Sequence, residues 1–274
     1  MGGSRAKPWV VDDELWAIVG PLLPQAPRRF RYPGRPRLDD RLVLQGILFV
    51  LHTGIGWEHL PQELGFGSGM TAWRRLHAWH AAGVWSQLHV ALLERLQRAG
   101  EIDWSRAIVD ASYVQAKKGA AGLGPSPVDR GRAGAKHHVL TDARGLLLAW
   151  SVTGANRNDV TQLLPLLDAI PHVQGTTGRP RQRPTRVIAD RGYDHDKYRR
   201  LLRARGFRHS IARRQTGHGS GLGRDRWVVE RTISHLHNKR RLLVCTDRTK
   251  ATHDALLSLA ACLLCYSRLR QSFC

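Results

Sequence analysis

Acidic side chains are scarce in this sequence: its 274 residues hold 22 Asp and Glu against 43 Lys and Arg, a formal charge of +21. A chain so short of anions is unsuited to a basic partner, and the excess points to a polyanion. A bilayer-spanning apolar run is also lacking. The stretch ALLSLAACLLCYS at 255–267 is helical in pattern, but about 13 residues fall short of the roughly 20 that span a membrane. No lipidation motif or basic amphipathic helix stands out, so no membrane partner is expected. Cysteine is rare and late, at 245, 262, 265 and 274. The pair Cys262-x-x-Cys265 has no second ligand pair at zinc spacing and reads as two core thiols. With no secretory leader ahead of Trp9, a reducing cytosol is expected, and a cytoplasmic, nucleoid-associated protein with it. No repeat of 20–50 residues is present, which excludes a solenoid. GHGSGLG at 217–223 lacks the Lys-Ser/Thr that completes a P-loop, so it reads as a connector and no nucleotide cofactor is expected.

What is there is a folding chain, 42% hydrophobic with nine tryptophans and long enough for a sizeable core. The charge is uneven: Arg179 to Lys250 holds 21 basic and 6 acidic residues, a net of +15 in 72 residues. Phosphate neutralisation by such a surface makes nucleic acid the expected partner.

Residues 9–100 carry apolar side chains at three- and four-residue spacing, with Asp12 and Asp39 as N-caps, and read as helices. Glu58–Leu64, the turn GFGSG and a helix near Met70–Ala82 resemble a helix-turn-helix. Its second helix would offer Arg74 and Arg75 to a DNA groove, or simply to solvent. PRRFRYPGRPR at 27–37 is Pro-rich and basic, and reads as a phosphate-contacting arm through Arg35 and Arg37, or as a solvated linker. From Trp104 the pattern turns to strands and alternating helices: RAIVDASYV, KHHVLTD and GLLLAWSVTG, then TRVIAD, a helix ending near Gly206, and FRHSIAR. An α/β layer fold is expected for 103–274 after an all-α region over 1–102.

Asp110 ends AIVD and Asp190 ends VIAD, so two central strands could present both carboxylates at one sheet edge. Arg226, Glu230, Ile233 and His237 share a helical face that lets Glu230 point inward. Converging carboxylates repel unless a cation holds them, and hard oxygen donors suit Mg²⁺ or Mn²⁺. Two such ions would serve an in-line displacement at phosphorus. Spacing alone also allows a structural accident.

VDASYVQA, ADRGYDHD and RWVVERTISHLHNKRRL, in that order, resemble the three signature regions of IS5 family DDE transposases, within the IS4/IS5-like group. ELWAIVGPLLP, GRPRLDDRLVLQGILFVLHTGIGWEHLP and AWRRLHAWHAAGVW are similar to that family's N-terminal helices. The resemblance implies an RNase H-like catalytic domain with Asp110, Asp190 and Glu230 as the metal-binding triad and two Mg²⁺ or Mn²⁺ ions. It implies hydrolytic cleavage at an insertion element's terminal inverted repeats, then 3′-hydroxyl transfer into target DNA, by a homo-oligomer on double-stranded DNA. A non-catalytic regulator derived from a transposase, or an RNase H-like nuclease without strand transfer, are the rival readings.

The family's extended signature places a tyrosine, an arginine and a lysine around the glutamate. Here Arg226 matches, Gly223 stands at the tyrosine position, and His237 at the lysine position with Lys239 and Arg240 close behind. These four basic residues are the implied flanking DNA contacts. The 39 residues between Asp190 and Glu230 leave no room for a large β-rich insertion. Asp194 and Asp196 read as helix N-terminal acids ahead of one of them assisting the metal site, Asp225 as a cap, His137 and His138 as structural or phosphate-contacting, and Trp227 as core ahead of base stacking.

Overall fold

The computed structural model describes residues 7–25, 31, 36–117, 122–214 and 223–272. Arg35, most of the basic arm and the run 217–222 lie outside them. Four helices lead the chain: α1 (Asp13–Val19), α2 (Asp40–Thr53), α3 (Gly69–Ala81) and α4 (Val84–Arg98). Each forms where the apolar spacing predicts. The Asp12 carboxylate accepts from Leu15 N, and Asp39 from the amides of Arg41 and Leu42, so both caps are made.

The segment between α2 and α3 departs from expectation. Glu58–Leu64 is not an α-helix but two single 3₁₀ turns, Trp57–His59 and Gln62–Leu64. Pro61 between them brings no N–H to a helix ladder, and Gly65 at φ 77° turns the chain left-handed. α3 then starts hard against the first turn: a Cβ on Gly69 would lie 1.7 Å from the Trp57 carbonyl oxygen. Only glycine allows that approach, so the arrangement is two turns and a helix.

The remainder builds one mixed sheet. Its strands are β1 (Ala107–Gln115), β2 (Gly124–Pro125), β3 (Ala133–Thr141), β4 (Leu147–Gly154), β5 (Arg186–Ala189) and β6 (Arg208–Ile211). The order is β2-β3-β1-β5-β6, with β4 also paired to β3. β1, β3 and β4 run antiparallel, while β1, β5 and β6 are parallel. A short helix α5 (Leu163–Asp168) precedes β5, α6 (Asp196–Ala204) crosses from β5 to β6, and α7 (Gly223–His237), α8 (Arg240–Leu243) and α9 (Lys250–Ser272) complete the chain. An antiparallel meander continued by parallel strands, with flanking helices, is the RNase H-like α/β fold.

α9 is buried along most of its length, packed against β4 on one side and α3 and α4 on the other. Cys262 Sγ lies 3.2 Å from the Trp85 carbonyl oxygen and Cys265 Sγ 3.7 Å from that of Leu147, so both thiols are core groups, as their setting predicts. One apolar cluster thus runs from Leu15, Leu44 and Leu88 through Leu256 and Leu259 to Val109 and Ile188, unbroken at residue 102. Among the described residues no helix is long and apolar enough to cross a membrane.

Two buried histidines make this core acid-sensitive. His89 Nε2 meets the Leu147 carbonyl at 2.9 Å and His138 Nε2 meets Thr153 Oγ1 at 2.8 Å. Burial lowers each imidazole to about 4. A folded value below the unfolded one means that the unfolded chain binds the proton first. Stability is therefore full above about pH 6.5 and falls by roughly 1.4 kcal/mol per pH unit per histidine as pH drops toward 4. Urea unfolding at pH 7 and pH 5 measures this, and His89→Gln is expected to flatten the slope.

Candidate active site

The parallel register sets two carboxylates side by side. β1 and β5 pair Ala107 with Val187, Ile108 with Ile188 and Val109 with Ala189. One residue farther along each strand stand Asp110 and Asp190, on neighbouring strands about 4.8 Å apart. Asp110 still lies within β1, opposite Val139 of β3. β5 ends at Ala189, and Asp190 caps the turn that follows, its Oδ1 accepting from Gly192 N at 2.9 Å. Asp190 is half-buried. Asp110 is 14% exposed, and burial raises its carboxyl pKa. The Ala111 amide and Arg226 oppose that rise, and the neighbouring charge of Asp190 adds to it.

α7 crosses this edge, in contact with β1, β3 and β5. Arg226 reaches Asp110 Oδ2 at 3.1 Å and stands 3.7 Å from Glu230 Oε1, one helical turn on. The guanidinium therefore links the sheet carboxylate to the helix carboxylate. Glu230 itself does not point inward: its side chain is 59% exposed. The donor oxygens of Asp110, Asp190 and Glu230 do not all lie within 4.8 Å of one another. Among the described residues the group that meets that criterion is Cys245, Asp247 and His253.

Tyr193, which sequence reasoning passed over, is 1% exposed beneath the pair. Its hydroxyl has no hydrogen-bond partner, and burial, reinforced by the charges of Asp159, Asp110 and Asp190, raises its pKa well above the ordinary phenol value. The sequence signal was an apolar body at a fixed three-residue step from Asp190. Arg199 lies under the same loop, its guanidinium 2.6 Å from Asp194 and donating to the Ile211 carbonyl at 2.9 Å.

Other expected residues fall in varied places. Arg74 and Arg240 are exposed. Arg75 is 16% exposed and paired with Asp40, which Arg37 also meets at 3.0 Å. Lys239 is 8% exposed, and burial lowers its pKa. His237 is half-buried with Nε2 3.3 Å from Ser112 Oγ on β1. Asp194 is an ion-pair partner, not a helix cap, since His195 holds the N-cap position of α6 and makes no side-chain bond there. Asp225 sits in the first turn of α7 and pairs with Arg106. His137 and His138 are fully buried in β3, and so structural. Trp227 is not core: it is 52% exposed, with the Arg231 guanidinium 4.7 Å from its ring centre.

The site is thus a pair of sheet carboxylates, a helix carboxylate and an arginine, at the edge of a strongly basic chain. All of its acidic donors are hard oxygens, which suit a divalent cation of the magnesium class. The partial burial of Asp110 beside Asp190, with one arginine shared by Asp110 and Glu230, leaves anionic charge for such an ion to neutralise.

Comparison with known proteins places the chain among transposases. Residues 11–89 match the family described as "Putative transposase of IS4/5 family", and residues 103–266 match the family described as "Transposase DDE domain". The "Putative transposase for insertion sequence element IS402" of Burkholderia cepacia is 56% identical over 149 residues, 54% of this chain and 71% of that protein. The "Insertion element IS402 uncharacterized 16.2 kDa protein" of the same organism is 53% identical over 123 residues, 44% of this chain and 83% of that protein. Among solved structures, the Mos1 mariner paired end complex with Mn shares 12% identity at a TM-score of 0.29, covering 88% of this chain and 80% of that one, a likeness too slight to argue from.

Proposed function

The chain belongs to the DDE transposases of the IS4/5 group, and from that premise we propose that Asp110, Asp190 and Glu230 are its catalytic carboxylates. The family's chemistry is DNA cleavage and strand transfer with a divalent metal. The observation that carries the residue assignment is the register: parallel pairing through Val109 and Ala189 brings Asp110 and Asp190 together, and Arg226 ties Glu230 to them.

Asp110 and Asp190 would hold the cation, Mg²⁺ or Mn²⁺ and two ions in our reading, with Glu230 swinging in from α7. A cation so held supplies Lewis acidity at phosphorus and lowers the cost of forming the attacking oxygen. The chain's own residues do the rest. Arg226 steadies Asp110 and the helix that carries Glu230. The exposed Arg74 and Arg240, with Arg37, Arg75 and His237 where DNA displaces their present contacts, would meet backbone phosphates; Arg35 would join them. Trp227, exposed beside Arg231, would stack on a base. We take the partner to be the inverted repeats of the element and then target DNA, and the working form to be a homo-oligomer in the bacterial cytoplasm. A boundary near residue 102 separates recognition helices from catalytic fold in this reading.

Purified protein incubated with DNA bearing the repeats that flank its gene is expected to nick the repeat ends with Mn²⁺ and not without it. A second reaction with pre-cleaved ends should join them to target. Cutting without joining would leave a nuclease, and binding without cutting a regulator.

A further inference from the structure

Three buried side chains far from the carboxylate pair in sequence converge behind the end of β1. Cys245, Asp247 and His253 offer a sulfur, a carboxylate oxygen and an imidazole nitrogen, all within 4.8 Å of one another and all buried. We infer that Cys245, Asp247 and His253 form a structural site for a zinc-class transition metal ion. The inference stands apart from the function proposed above.

The donor set chooses the metal. A thiolate with an imidazole and one carboxylate is the mixed S, N, O ligation of zinc, whereas Mg²⁺ seeks oxygen alone. The outer contacts are those a metal-bound histidine needs. His253 Nδ1 lies 3.3 Å from Asp247 Oδ2, a spacing two ligands of one ion can take. Its other nitrogen, Nε2, lies 2.7 Å from His137 Nε2. One of those two must carry the hydrogen, and a donor at His253 Nε2 leaves Nδ1 unprotonated and aimed at the other ligands. Asp247 Oδ1 accepts from Arg241 at 2.7 Å, which fixes the carboxylate and leaves Oδ2 for the ion.

The fold gives the site a purpose. Cys245 N donates to the Gln115 carbonyl and the Cys245 carbonyl accepts from Lys117 N, both at 2.9 Å, so the ligand loop pairs alongside the end of β1. His253 lies in the first turn of α9. An ion there would fasten the last helix to the strand that carries Asp110.

The test is full-length protein expressed in cobalt-supplemented medium and desalted. The expected result is a stoichiometric metal content with a thiolate-to-cobalt charge-transfer band. That band should persist in the Asp110→Asn/Asp190→Asn/Glu230→Gln variant, whose oxygen ligands cannot produce it, and vanish in Cys245→Ser. Chelator should lower the melting temperature of the parent chain and not of Cys245→Ser. Folded protein, checked by circular dichroism, that carries no band overturns the proposal. So does a band that survives Cys245→Ser, which would place the thiolate elsewhere.

Discussion

Asparagine at Asp190 is expected to slow cleavage of element-end DNA by about 10³-fold or more, the scale lost when a group that stabilises transition-state charge is removed. Asn keeps the size of the side chain and can still accept from Gly192 N, so the turn Arg191–Tyr193 survives. What it loses is the negative charge that, with Asp110 one strand away, would hold the cation. The same loss is expected for Asp110→Asn and Glu230→Gln. DNA affinity should stay within about twofold, because phosphate binding is carried by basic residues and not by these acids. Gel-shift titration beside a cleavage time course separates the two effects. A variant at any of the three that still cuts at the parental rate removes that residue from the mechanism.

The largest expected loss of stability lies one helix away. Arg199 and Asp194 are 8% and 9% exposed and 2.6 Å apart, and Arg199 also donates to the Ile211 carbonyl. Methionine at Arg199 keeps much of the side-chain bulk but takes the ion-pair partner from the Asp194 carboxylate and leaves it the Arg214 amide. Breaking a buried pair from one side costs about 3 kcal/mol or more. Burial alone would raise the Asp194 carboxyl; the Arg214 amide and Arg199 outweigh it and hold its pKa below the ordinary range. The part of the stability linked to that proton is present above the unfolded carboxyl range and lost as pH falls through the lowered folded value. Denaturant unfolding of Arg199→Met at neutral pH measures the penalty, and the double variant Arg199→Met/Asp194→Leu should recover part of it. Because Asp194 closes the turn that begins at Asp190, cleavage should also drop in the single variant.

Much of this arrangement was legible in residue spacing. Apolar periods of three and four located α1 to α4, and AIVD and VIAD marked two buried strands whose pairing delivers the acids together. Spacing could not say that Pro61 and two glycines would unwind Glu58–Leu64, because the close seat of Gly69 on Trp57 is a tertiary fact. Nor could it put Trp227 in solvent or Lys239 inside, since Trp227 is a large apolar residue on a helix and Lys239 is a cation at the bend between α7 and α8, and tertiary packing sets the exposure of each. Asp194 was misread for a related reason. An acid ahead of a helix is usually a cap, and its true partner Arg199 became visible only once α6 had turned it inward. The inward reading of Glu230 rested on helical phase, which gives a side chain's direction relative to its own helix and not its distance from the sheet.

The apolar cluster that runs unbroken across residue 102 bears on how such a gene can change. Leu15, Val19, Leu44 and Leu48 of the leading helices meet Trp85, Leu88, Leu259 and Leu263 around one small cavity, so the final helix completes the interior of the first hundred residues. A chain stopped before α9 forfeits both halves at once. A new recognition segment cannot simply be grafted onto this catalytic fold from another element. It must arrive with a matching last helix, and altered target preference should therefore accumulate by substitution on exposed faces rather than by shuffling.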